Sequence, residues 1–292
     1  MNPTLRTIGL FALLTLLFVF VGYIIGFLYG DTIGAMLLFL IFALFINLIS
    51  YFFSAKIVLW SYRAKIISEN ENPRIFRIIS NVAQKAKIPM PKIAIIDTPL
   101  PNAFATGRNK KNAVVAVTSG ILNLLNDNEL EGVIGHEIGH IKDRDILVMT
   151  VAATIAGALS FAARISVFQA MFSGGNNRNN NSIISIIVLA LAAFAAFLIQ
   201  LAISRQREFK ADMQSAKITG KPLALASALR KLEENVSRRP FKQGNPSTAS
   251  LFIVNPFRGS SFLNLFSTHP PTQERIKRLE EIARRGTLEA IS

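Results

Sequence analysis

Residues 126–140 read NDNELEGVIGHEIGH, and the rest of the chain is best read outward from them. Asn126 suits a helix N-cap, and Glu129, three residues on, completes a capping box. Beyond it Leu130, Val133, Ile134 and Ile138 recur on one side at helical spacing, so a helix is expected. His136 and His140 are four residues apart on it, so both imidazoles project from one face and can chelate one ion. Glu137 lies beside them, near enough to take a proton from an attacking water. The plainer alternative is a helix with two histidines on a half-buried face.

A hydrolytic zinc site uses three protein ligands with one position left open, and His, His, Glu is a known set. The third ligand is expected on another helix. Residues 204–212, SRQREFKAD, place Glu208 and Asp212 four apart on one face of a second predicted helix. Glu208 is the candidate ligand, and Asp212 is the candidate partner for the other ring nitrogen of a ligand histidine. By itself this segment reads equally well as two solvated acids on a basic helix.

The surrounding composition places these helices near lipid. The 292 residues are 51% hydrophobic and 17% charged, against about 25% charged in soluble domains. The mean hydropathy is +0.39. A net charge of +14 raises nucleic acid as a partner, but the basic residues are scattered, with no stripe of interleaved aromatics. Basic residues beside apolar spans fit anionic lipid and cytoplasmic retention instead. The absence of cysteine excludes disulfides and cysteine-ligated metals, and it fits a reducing compartment.

Four stretches reach the length of about 20 residues that crosses a bilayer. They run from Ile8 to Leu28, Ile33 to Phe53, Ile146 to Ala163 and Ile183 to Ile203. The first is too long for a signal-peptide core and lacks a small-residue cleavage site, so it is expected to stay as an anchor. The third is rich in Ala, Gly and Thr, and it suits either a close-packed span or a buried hairpin with the fourth. The turn after the first span holds no Lys or Arg, whereas Lys56, Arg63 and Lys65 follow the second and Arg205, Arg207 and Lys210 follow the fourth. The positive-inside rule therefore puts both termini and both polar segments in the cytoplasm. Tyr51, Trp60 and Tyr62 suit an aromatic belt there.

The polar segments are read as two halves of one domain. In the first, the spacing predicts a helix from Pro73 to Lys87 and strands at Lys92 to Asp97 and Ala113 to Thr118. In the second, helices are expected from Ser204 to Ile218, closed by Gly220, and from Leu223 to Val236. A long loop over Pro240 to Gly259 and a basic helix from Pro271 to Arg285 follow. The organisation is thus 1–53 as two transmembrane helices, 54–145 and 204–292 as the two halves of a cytoplasmic domain, and 146–203 as a transmembrane or membrane-inserted hairpin.

The motif at 136–140, followed by the segment at 204–212, resembles the HtpX-type membrane proteases, gluzincin relatives of the CAAX prenyl proteases in bacteria and archaea. The resemblance runs over essentially the whole chain. It implies a mainly α fold: a four-helix transmembrane part and a cytoplasmic α+β zincin-like domain with a small β-sheet. It implies one Zn2+ on His136, His140 and Glu208, and Glu137 as general base. It also implies membrane-protein or unfolded polypeptide substrates, quality control and stress response, and a plasma-membrane location with the active site in the cytoplasm. Asn102-Ala103-Phe104 is similar to the gluzincin strand that lies along the substrate backbone, with the Asn amide bonding the peptide, although alone it reads as a turn and strand start. His269, a loop histidine before a Pro-Pro pair on its own reading, is placed near the active site by the resemblance, as a catalytic donor to the oxyanion. A scaffold with a structural zinc fits less well, because a structural site would close the fourth position. A transporter would want more ionisable groups in its spans than Arg164 supplies.

Overall fold

The computed structural model describes residues 3–152, 154–155, 205–238, 252–253 and 270–291. Half of the third apolar stretch, all of the fourth, most of the loop over 240–259, and His269 lie outside the described residues. The chain opens with two long helices, α1 (Pro3–Tyr29) and α2 (Thr32–Ser61), joined at Gly30 and Asp31. Gly30 adopts φ 87°, which a side chain would resist, and Asp31 caps α2 by accepting a hydrogen bond from Gly34 N. Both helices are long and apolar enough to cross a membrane, over Thr7–Phe27 and Thr32–Ser61. Leu16, Phe27, Ile33 and Leu38 stand exposed on them, a surface that lipid covers at no cost and water does not. Inside the hairpin, Asn47 Nδ2 donates to Phe11 O at 3.2 Å and to Thr15 Oγ1 at 2.9 Å, which sets the register of the two helices.

α2 does not stop at Phe53, the end expected for the second span. It continues for eight residues to Ser61, about 12 Å at helical rise, and becomes a stem under the polar domain. There Val58 and Tyr62 pack with Ala94, Ile96, Phe104 and Ala116 on the underside of a sheet. The sheet consists of β1 (Lys65–Ile66), β2 (Lys92–Ile96), β3 (Ala103–Gly107) and β4 (Ala113–Thr118), in the order β1-β2-β4-β3. β2 and β4 run parallel, while β1 and β3 pair antiparallel to their neighbours. β3 is therefore an edge strand.

The opposite face of the sheet carries helices. α3 (Pro73–Ala86) starts with Asn72 capping Ile75 N and Pro at its first turn, and it ends where Lys87 turns left-handed at φ 56°. It buries Ile75, Ile78, Ile79 and Val82 along one face. A short α4 (Ser119–Leu124) follows β4, and then comes α5 (Asp127–Lys142) with the expected capping box between Asn126 and Glu129. After residues 146–152, which are helical, the described chain resumes with α6 (Arg205–Thr219), α7 (Pro222–Arg238) and α8 (Thr272–Ile291). The last helix runs six residues beyond the expected end at Arg285, because Gly286 interrupts the apolar pattern without breaking the backbone. One core joins these parts: Ile75, Val115, Ile134, Ile138, Leu229 and Leu279 all belong to it. α5 lies at its centre, buried on every side from Glu129 to Ile141.

Candidate metal centre

The central helix can be approached closely because it presents glycines to its neighbours. A Cβ on Gly135 would lie 2.7 Å from Ser215 Oγ, so α6 packs almost backbone to backbone against α5. Ser215 Oγ seals this contact by donating to Gly132 O at 2.6 Å. The approach brings the Glu208 side of α6 over the histidine face of α5.

His136, His140 and Glu208 converge there, with ligand atoms within 4.8 Å of one another. The two Nε2 atoms are 3.2 Å apart. Glu208 Oε2 lies 3.5 Å from His136 Nε2, and Oε1 lies 3.5 Å from His140 Nε2. The three residues are 2%, 3% and 0% exposed. Two imidazole nitrogens and a carboxylate packed this tightly out of water fit a divalent cation at their centre.

Asp212, one turn after Glu208 on α6, accepts from His136 Nδ1 at 2.9 Å. That bond fixes the ring and turns Nε2 toward the cluster. Burial opposes a charge on His136, but the hydrogen bonds to Asp212 and Glu208 outweigh it and raise its pKa to about 9. Of these partners Asp212 alone sits on Nδ1, and it makes the ring a better ligand through Nε2. Asp212 is in turn gripped by Arg275 of α8, with Nε 2.9 Å from Oδ2 and Nη2 2.7 Å from Oδ1. Burial works against the Asp212 carboxylate, yet Arg275 and His136 hold its pKa well below the usual range. Arg275 Nη1 also donates to Ile253 O at 3.1 Å.

Sequence reasoning missed Arg275. It sits on a helix with Lys277, Arg278, Arg284 and Arg285, where any one cation reads as solvated, yet it is 1% exposed. Arg275→Met would leave Asp212 as a buried carboxylate without its cation, which costs about 3–5 kcal/mol. Arg77, an exposed partner of Asp127, gives the comparison, since such pairs contribute about 0–1 kcal/mol. Thermal unfolding should therefore fall far more in Arg275→Met than in Arg77→Met, and similar losses would mean that the buried pair contributes nothing special.

Glu137 stands next to the cluster and faces the sheet. Its Oε2 accepts a hydrogen bond from Ala105 N on β3 at 2.8 Å. Burial raises its pKa, with the two histidines acting against the rise. Because Ala105 N points away from β4, the alternation of the strand turns the Ala103 and Gly107 backbone outward as well. Asn102, at the head of β3, is paired inward: its O accepts from Thr118 N and its Oδ1 from Ile253 N at 3.2 Å. The Phe104 side chain packs below the sheet, with its ring centroid 5.4 Å from that of Tyr62 and on the far side from Glu137.

Buried histidines and a carboxylate from two helices, with a second acid against a sheet edge, define a mainly helical metallopeptidase. A model described as Peptidase family M48 matches residues 69–283, and the chain belongs to that family. A Protease HtpX homolog from Thermococcus sibiricus is 54% identical over 284 residues, covering 96% of each chain. Another from Pyrococcus abyssi is 53% identical over 281 residues, again covering 96% of each. Within the family the chain is thus an HtpX-type membrane protease. A crystal structure of S. mikatae Ste24p shares the fold at a TM-score of 0.50 and 18% identity, covering 94% of this chain and 65% of that one. This chain therefore spans less than two thirds of that protein's length.

Proposed function

We propose that the protein is a zinc-dependent endopeptidase that cleaves cytosolic segments of misfolded or damaged membrane proteins. The observation that carries this reading is the convergence of His136, His140 and Glu208 beside Glu137, with Glu137 tied to the outer edge of β3. Zinc suits two imidazoles and a carboxylate, and when bound it supplies Lewis-acid activation of a carbonyl and of water. The chain's own residues do the rest. Arg275 holds Asp212, and Asp212 orients His136 through Nδ1. Glu137 takes the proton of the attacking water and later delivers it to the leaving amine. Because Ala105 N is held by Glu137, the outward backbone of Ala103 and the Ala105 carbonyl are what an extended peptide would pair with as an added strand, which favours unfolded segments over folded ones. Asn102 and Phe104 support that edge from its inner side and from beneath.

In the same reading the membrane part has four helices. Residues 1–53 carry two of them and 146–203 the hairpin, while 54–145 and 204–292 form the cytoplasmic protease domain of a bacterial or archaeal plasma-membrane protein. Packing of Leu147, Val148 and Val151 against Leu10 and Leu14 of α1 supports a third helix beside the first two. The basic residues that follow α2 support the cytoplasmic side. A membrane location and a taste for unfolded chains fit a role in quality control under stress.

His269 completes the proposed machinery as a donor to the oxyanion of the tetrahedral intermediate. His269→Ala should keep its metal and its fold, lower kcat by about 10²–10³ and leave KM nearly unchanged. Near-normal turnover would make it a loop residue. The reading as a whole is tested by incubating the purified protein with zinc and an unfolded membrane protein, with and without chelator. Chelator-sensitive cleavage within loops on the cytosolic side is expected. Cleavage confined to the opposite face would overturn the assignment of sides.

A further inference from the structure

A cavity of about 610 Å³ lies where the α1–α2 hairpin meets the polar domain, away from the metal centre. Thr7, Tyr51 and Leu147 line it together with Arg108, Lys110, Lys111 and Arg144. Its level along the hairpin follows from the helix register. Asn47 is bonded to Phe11, so Thr7 and Tyr51, each four residues further on, face each other about 6 Å beyond that pair. They stand at the ends of the apolar stretches, just where Ile8 begins one and Phe53 closes the other. The cavity is therefore at the boundary between acyl chains and water.

The cations are arranged for something negative. Among the described residues, none of the four forms an ion pair with a carboxylate. Arg108 lies against the hairpin, its guanidinium carbon 5.4 Å from the centroid of the Phe52 ring, so its stem covers apolar surface while its head stays polar. Lys110 and Lys111 sit on a single 3-10 turn held by Asn109, whose side chain accepts from Lys111 N and Asn112 N. Arg144 occupies a left-handed position at φ 60°, which a glycine would take more readily, and so delivers a charged side chain at some conformational cost. The lining joins Tyr51 of the hairpin and Leu147 to four cations, and the space is far larger than a bare phosphate needs.

The geometry points to a binding site for the phosphate headgroup of an anionic membrane lipid, with the acyl chains running along α1 and α2. This rests on the hairpin lying in the bilayer. The site also touches both sides of the metal centre in sequence: Arg108 follows the last residue of β3, and Arg144 follows His140 by four residues. A bound headgroup would seat the protease domain on the membrane at those two points.

The test uses full-length protein in nanodiscs of mixed phosphatidylglycerol and phosphatidylcholine, with the lipids retained on release counted by native mass spectrometry. Wild-type protein is expected to retain phosphatidylglycerol selectively. Arg108→Gln/Lys110→Gln/Lys111→Gln should lose that preference, at roughly fivefold per cation removed. Lys92→Gln/Lys217→Gln/Lys277→Gln, which removes equal charge from exposed sites elsewhere, should keep it. Lys110→Gln/Lys111→Gln alone, on an exposed turn, serves as the second variant if the triple change impairs folding. Equal loss in the distant variant, or none in the cavity variants, would overturn the site. Displacement of the lipid by millimolar inorganic phosphate or glycerol phosphate would assign the cavity to a soluble phosphate instead. Failure of the wild-type protein to enter nanodiscs would overturn the membrane placement itself, a result separable from loss of lipid preference.

Discussion

Glu137→Gln should bind metal as the parent does and lose about 10²–10⁴-fold in kcat, which is about 3–5 kcal/mol of transition-state stabilisation. The amide keeps the shape of the carboxylate, and its oxygen can still accept the hydrogen bond from Ala105 N. What it lacks is the ability to accept and return a proton. Glu137 is buried beside His136 and His140 but is not among the three residues whose ligand atoms cluster, so the metal should be indifferent to the change. The informative pair of measurements is metal content and single-turnover cleavage of one peptide. Retained metal with abolished cleavage fits a general base. Full activity would remove Glu137 from the chemistry, and loss of metal would move it among the ligands.

Glu208→Ala should do the reverse and act on the metal itself. Changing a group that only orients a ligand typically costs about 10–100-fold in metal affinity. Glu208 is fully buried with one carboxylate oxygen facing each histidine at 3.5 Å, so its loss should exceed the upper end of that range. The protein should also lose its activity in step with its metal, and raising free zinc should restore part of both. Asp212→Asn, acting through His136 Nδ1 alone, should fall within the smaller range. If Glu208→Ala held metal as tightly as the parent, the third ligand would have to be sought elsewhere.

Much of this centre is legible in the chain because helical geometry is local. A four-residue spacing is enough to put His136 with His140, and Glu208 with Asp212, on single helix faces. The capping box at Asn126 and Glu129 marks the start of α5, and Pro73 and Asn72 mark that of α3. What stays hidden depends on how elements meet. Arg275 looks like any other cation of a basic helix until α8 turns it onto Asp212. The bond from Ala105 to Glu137 needs an edge strand to lie across α5; the resemblance marks the start of that strand at Asn102 to Phe104, but the bond itself shows only in the fold. β1 is two residues long, too short to carry a period, and α4 after β4 has only six residues. The second helix outruns the expected span because one side of its last turns, at Ser54 and Val58, is buried in the polar domain, a contact that the sequence alone does not reveal.

In the proposed function one zinc is held by residues of α5 and α6. It is tested most directly by stripping the purified full-length protein with chelator and titrating zinc back, following bound metal and peptide cleavage in the same samples. Cleavage should be absent at the start, rise with zinc, and level off at one ion per chain, with Glu208→Ala flat over the same range. Undiminished cleavage by the stripped protein, or a rise in Glu208→Ala matching that of the parent, would contradict the account.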